Sequence, residues 1–169
     1  MKIDLKKLNT SAHASIPFDE TIDLTDEKLY GAKPFQSPVH IKGVVSNESG
    51  VVRLAGSIEP IYSTECARCL KPLEIPLSAE ADMMLSDDPE AEEEDDLFVL
   101  TSDSVDPADV LVPALILQVQ MTYLCKEDCK GLCPHCGADR NVTDCDCDKK
   151  QIDPRFAALR ALLEADKGD

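Results

Sequence analysis

Four cysteine doublets punctuate this 169-residue chain: Cys66-x2-Cys69, Cys125-x3-Cys129, Cys133-x2-Cys136 and Cys145-x-Cys147. Doublets at this spacing are suited to holding metal. A C-x2-C turn aims two sulfurs at one point about 2.3 Å away, while backbone N–H groups relieve the thiolate charge. In G-L-C-P-H-C-G, residues 131–137, the two glycines let the chain turn tightly and Pro134 stiffens the turn. Eight thiolates suffice for two four-sulfur sites, and such a site leaves no position open for a catalytic water. The spacing therefore predicts structural zinc, one or two ions, with Cys66, Cys69, Cys125, Cys129, Cys133, Cys136, Cys145 and Cys147 as ligands. Thiolate spacing alone does not separate zinc from iron.

Two groupings of the doublets compete. Proximity joins Cys133, Cys136, Cys145 and Cys147 as one local site, which leaves Cys66 and Cys69 to meet Cys125 and Cys129 from across the chain. The rival takes Cys125, Cys129, Cys133 and Cys136 together and crowds three linkers of at most three residues around one ion. His135 lies between two ligands, where a side chain points away from the ion, and is read as solvent-facing. The C-x-x-C at Cys66 lacks the βαβ surroundings of a redox motif. No G-x-S-x-G, phosphate loop or H-E-x-x-H occurs, and nothing selects a catalytic pair among 33 carboxylates, so an enzyme is not indicated.

The formal net charge is −16, and the run S-D-D-P-E-A-E-E-E-D-D at 86–96 holds eight of the carboxylates. Such a block repels itself and reads as a flexible, solvated acidic loop. This balance works against the basic footprint of an RNA binder. The opening M-K-I-D-L-K-K-L-N has no apolar run behind its lysines, and no window approaches the ~20 apolar residues of a spanning helix. The chain reads as cytoplasmic, where thiols stay reduced.

These groups need a scaffold. Residues 1–8 read as an extended arm with Ile3, Leu5 and Leu8 as its apolar positions, and 16–24 as extended. Runs at 39–45 and 51–62 flank S-N-E-S-G and predict a hairpin. Alternation from Leu73 to Leu85 predicts one strand paired with the run before Cys66, so that Cys66 and Cys69 sit at a hairpin tip. Residues 97–100 form a further short strand. Asp106-Pro107 starts a helix running to about Met121, with Pro113 inside it to kink it or delay its start. Asp153-Pro154 starts a last helix, with Phe156, Leu159, Leu162 and Leu163 on one face. The fold class expected is α+β: an antiparallel sheet or partly open barrel with a packed helix, plus a Cys-rich zinc-binding module and C-terminal helix. Its division is a β-rich core domain at 1–124, carrying the acidic loop, and a zinc module with its amphipathic helix at 125–169.

E-C-A-R-C-L-K-P-L at 65–73, the acidic run, C-K-E-D-C-K-G-L-C-P-H-C-G at 125–137, Asn141, C-D-C and D-P-R-F-A-A-L-R-A-L-L at 153–163 together resemble the YceD family of large ribosomal RNA subunit accumulation proteins. The resemblance implies a bacterial, non-enzymatic ribosome-biogenesis factor supporting synthesis, processing or stability of 23S ribosomal RNA. Its partner would be a ribosomal protein, or large-subunit ribosomal RNA and its assembly intermediates, with no membrane and no small-molecule substrate. Arg68, Lys71, Lys126, Lys130 and Arg140 would suit a basic rim around the knuckles. Yet zinc held by four thiolates carries a formal charge of about −2, which favours a basic protein over RNA. A zinc- or redox-responsive interaction module is the alternative reading of the same thiols.

Overall fold

In the computed structural model, residues 2–8, 13–88, 96–147 and Phe156 are described. Their strands are β1 (Ile3–Asp4), β2 (Ser15–Ile22), β3 (Val39–Glu48), β4 (Val51–Glu59), β5 (Ile61–Glu65), β6 (Pro72–Pro76), β7 (Ala79–Ser86), β8 (Leu97–Val99) and β9 (Ser104–Val105). One helix, α1 (Pro107–Gln118), follows them. The class is α+β, as the sequence predicts.

Five strands form the main sheet in the order β2-β3-β4-β7-β8, antiparallel except for the β7–β8 pair. This order is open among the described residues, with β2 and β8 at its edges, and no pairing there closes it into a barrel. Register places inward side chains in rows: Ile41, Ile58 and Ala79; Val45, Leu54 and Met83; Val52 and Leu85. Between them lies a row of small residues, Gly43, Gly56 and Ala81. The Phe18 ring fills the space this row leaves, and Leu111 of α1 closes over Gly56. Val110, Leu111 and Leu115 bury one face of α1 against the sheet.

Local chemistry sets the ends of these elements. Ser49 and Gly50, both left-handed at φ 58° and 97°, make the two-residue turn between β3 and β4 that right-twisted strands prefer. Buried Asn47 braces this turn by accepting the Gly50 N–H at 2.8 Å, and donates to the Leu8 carbonyl at 3.1 Å. That bond ties down the N-terminal arm, whose β1 pairs with β9. The Asp106 carboxylate caps α1 by accepting the Ala108 N–H at 3.1 Å. Pro113 stays inside the helix, which ends at Gln118 rather than Met121.

Two strands expected to be continuous are each divided. Pro60 separates β4 from β5, and the break after Pro76 separates β6 from β7, because proline offers no N–H to a ladder. Strand β7 therefore pairs with β4, while β5 and β6 form a separate two-stranded hairpin. The expected hairpin tip at Cys66 is present, between Glu65 and Pro72. Most of the acidic loop at 86–96 and, Phe156 apart, the expected C-terminal helix at 153–163 lie outside the described residues. No described helix is long and apolar enough to cross a membrane.

A methyl group on Gly43 would stand 2.3 Å from the Ala55 carbonyl oxygen and 2.6 Å from the Phe18 ring. Gly43→Ala should therefore destabilise the fold by about 2–3 kcal/mol, read as a lower midpoint in urea unfolding.

Candidate metal centres

The β5–β6 hairpin places Cys66 and Cys69 in its connecting turn. Within it, Cys66 N–H donates to the Lys71 carbonyl at 2.8 Å and Leu70 N–H to the Cys66 carbonyl at 2.9 Å. The chain leaving α1 reaches this tip through a hydrogen bond from Ala67 N–H to the Tyr123 carbonyl at 2.9 Å. That contact delivers Cys125 and Cys129. The Cys66 and Cys129 sulfurs stand 3.8 Å apart, those of Cys69 and Cys125 3.6 Å apart, and all four lie within 4.8 Å of one another. Four sulfurs at about 2.3 Å from a tetrahedral ion are separated by about 3.8 Å, so this donor set fits zinc closely. Cys66, Cys69 and Cys129 are buried, and Cys125 is half-buried.

Arg68 locks the two halves together. Its Nη1 donates to the carbonyls of Cys129 at 2.9 Å and Glu127 at 3.3 Å, and its own carbonyl accepts the Leu132 N–H at 3.0 Å. Gly131, at φ 70°, lets the segment approach: a Cβ there would sit 2.8 Å from the Arg68 carbonyl oxygen. Asn141 braces the same segment, accepting the Lys130 N–H at 2.9 Å and donating to the Cys129 sulfur at 3.4 Å. Asp139 holds Asn141 in place, and the backbone and side-chain N–H bonds it receives lower its pKa below the ordinary 3.8. A lowered carboxylate stabilises the fold above its unfolded value, so this brace weakens only as pH falls through the Asp139 folded pKa.

The second set is local. Cys133, Cys136, Cys145 and Cys147 bring their sulfurs within 4.8 Å of one another, with Cys133 buried, Cys136 exposed and the other two half-buried. Its knuckle repeats the first bond for bond: Cys133 N–H donates to the Ala138 carbonyl at 2.8 Å and Gly137 N–H to the Cys133 carbonyl at 2.9 Å. Gly137 thus corresponds to Leu70. Both are left-handed, at φ 73° and 59°. For leucine that backbone costs about 1–2 kcal/mol, and the side chain is 57% exposed.

Charge shows why each set is suited to a cation. Backbone N–H donation from Cys125 first, and from Arg68 and Cys69 against the opposing effect of burial, holds the Cys66 thiol down to about 6. The backbone N–H groups of Cys136 and His135 bring Cys133 to about 6 likewise. Their neighbours move the other way. Burial, then the adjoining sulfurs, pushes Cys125 up to about 12, and hydrogen bonding with Cys136 and Cys133 pushes Cys147 up to about 12. Four thiols this close do not ionise together unless a positive ion joins them.

All eight predicted residues thus fall into two sets of four. Cys125 and Cys129 join Cys66 and Cys69, and the rival grouping does not form. His135 is exposed and belongs to neither set. Of the five cations that would suit a basic rim, Arg68 turns to backbone carbonyls and Lys126 meets Asp128 at 3.7 Å. The bracing roles of Asn141 and Gly131 and the strain at Leu70 were not among the sequence expectations. The L-for-G exchange between C-A-R-C-L and C-P-H-C-G is the signal that could have marked Leu70.

Residues 54–163, which include every cysteine, match the family described as large ribosomal RNA subunit accumulation protein YceD. The chain is 29% identical to the uncharacterized protein YlbN of Bacillus subtilis over 98% of both. It is 30% identical to an uncharacterized protein of Mycobacterium tuberculosis, over 70% of this chain and 59% of that one. It is 25% identical to the chloroplastic large ribosomal RNA subunit accumulation protein YCED homolog 1 of Zea mays, over 72% of this chain and 52% of that one. No solved structure matches it.

Gly131→Ala should cost about 2–3 kcal/mol, since it adds both backbone strain and a collision with the Arg68 carbonyl. Thermal unfolding checks this, and a midpoint within a degree or so of the parent would contradict the close-approach role.

Proposed function

The chain belongs to the YceD family, and from that premise we propose that it is a non-enzymatic accessory factor supporting the accumulation of 23S ribosomal RNA in the cytoplasm, built on two structural zinc ions. The observation that carries this reading is that the family match spans both four-sulfur sets and the helix that joins them to the sheet. Cys66, Cys69, Cys125 and Cys129 would hold one ion, and Cys133, Cys136, Cys145 and Cys147 the other. Each ion would neutralise thiolates that otherwise repel, and fix the segments bearing them. On this reading 1–124 is the β-rich body, and 125–169 is a zinc module closed by a C-terminal helix and clasped to that body by the first site.

A net charge of −16, made more negative by four-thiolate zinc, supports a basic ribosomal protein as partner over direct contact with large-subunit ribosomal RNA. The inward turn of Arg68 points the same way. One observation favours the redox-responsive alternative at the second set: Cys136 is exposed, so an oxidant can reach it.

Deleting the gene should lower 23S relative to 16S ribosomal RNA, and a chain carrying Cys69→Ser with Cys129→Ser should fail to restore it. Unchanged ratios in the deletion strain would contradict the reading. Native mass spectrometry of protein purified without added metal should find two zinc ions per chain. Iron, or no metal, would contradict the zinc assignment. Loss of one ion under mild peroxide, with altered partners, would favour the responsive module instead.

A further inference from the structure

An open groove of about 710 Å3 runs beside the first four-sulfur set, between the β5–β6 hairpin, the turn at 29–32 and the chain leaving α1. All three tyrosines of the chain line it: Tyr30, Tyr62 and Tyr123. With no tryptophan and only four phenylalanines elsewhere, this is where the protein concentrates its aromatic surface. Tyr62 forms the floor, buried with its ring 6.0 Å from Phe35 and 5.5 Å from Tyr123. The rim is opposite in character. Tyr30 is 73% exposed, Leu70 57% and Met121 88%.

One of these rim residues is presented by a strained backbone. Among the described residues three other than glycine have positive φ: Ser49 and Tyr30, each paired with a left-handed glycine in a two-residue turn, and Leu70 at 59°. The second knuckle shows the relaxed alternative, Gly137, at the position corresponding to Leu70. Burial does not account for so exposed a leucine in that conformation. Large apolar side chains held in water around an aromatic groove mark a surface made to be covered.

Charge selects what covers it. Among the described residues Glu65 is the one charged side chain lining the groove, and Cys66 brings the adjoining four-sulfur set to its wall. Of the cations that flank lining residues, Arg68 is engaged by the carbonyls of Glu127 and Cys129, Lys33 pairs with Asp26 at 2.7 Å, and Lys71 stands near enough to Asp139 to help lower its pKa. The groove is thus apolar, aromatic and anionic within a chain of net charge −16. A phosphate backbone is repelled there, whereas lysine and arginine gain from both the carboxylate and the tyrosine faces.

We propose that this groove docks a cationic segment of a partner protein, with a large apolar side chain seated among Tyr30, Leu70 and Met121 and its basic residues facing Glu65 and the four-sulfur set. This deepens the preceding reading by placing its protein partner, and rests on that reading only for the partner's source.

The test uses the full, zinc-loaded chain and short fluorescent peptides tiling the basic large-subunit ribosomal proteins, followed by anisotropy at moderate salt. At least one peptide should bind. Leu70→Gly should weaken it by about tenfold or more while leaving the melting midpoint equal or higher. Leu117→Ser, at an 84% exposed residue outside the groove, should leave binding unchanged. The proposal is overturned if no peptide binds, if Leu70→Gly binds as well as the parent, or if a 23S ribosomal RNA fragment binds through these same residues. Suppose deletion lowers 23S ribosomal RNA and the Leu70→Gly chain restores it in full: the groove proposal then fails and the family reading stands. Suppose deletion changes nothing but peptide binding still depends on Leu70: the family reading fails and the groove stands.

Discussion

Four thiols gathered within 4.8 Å in a buried place are the constraint on which the arrangement depends. Left alone they frustrate one another: knuckle N–H groups draw Cys66 toward the thiolate, while burial and that same company drive Cys125 away from it. A divalent cation held there would remove the conflict and turn repulsion into a cross-link. The cross-link matters because of what it joins. A two-stranded hairpin is marginal in water, and β5–β6 shares no ladder with the main sheet; Tyr62 and Ile75 anchor its base in the core, while its tip carries Cys66 and Cys69. The segment after α1 has no regular structure of its own up to Cys129. Each needs the other, and the sulfurs are where they meet.

The sheet decides where that meeting occurs. Small residues at Gly43, Gly56 and Ala81 let Phe18 and α1 settle close onto the inner face, which sets the direction in which α1 ends. Pro60 then turns the chain out of the main sheet into the hairpin, so that its tip stands beside the helix exit. The same geometry leaves a concave strip between hairpin and exit chain, floored by Tyr62 and Tyr123. Clasp and groove therefore share one origin, and Cys66 belongs to both.

Much of this was legible in the sequence, and the limits are physical. The sulfurs were readable because metal ligation fixes spacing over a few residues, and local proximity sorted them into the two sets observed. Period-two alternation revealed β3, β4 and the strand residues around Cys66. It failed at Pro60 and Pro76, because side-chain pattern continues through a break that proline imposes on backbone pairing. The end of α1 shows a related limit: apolar residues persist to Met121 although the helix stops at Gln118. Asn141, Gly131 and Leu70 act through backbone carbonyls, close approach and a left-handed φ. None of these leaves a periodic trace. A comparison of the two knuckles residue by residue was the one route to Leu70.

The family match joins this architecture to ribosomal RNA accumulation, and its span covers the hairpin tip, both thiol sets and the helix between them. An ion at the first set would hold the hairpin to the chain leaving α1. Hydrogen exchange of the zinc-loaded chain against the reduced, chelator-stripped chain tests this most directly. Amide protection in β5, β6 and residues 123–133 should be lost on stripping, while β3, β4 and α1 keep theirs. Equal protection of the hairpin with and without metal would contradict it.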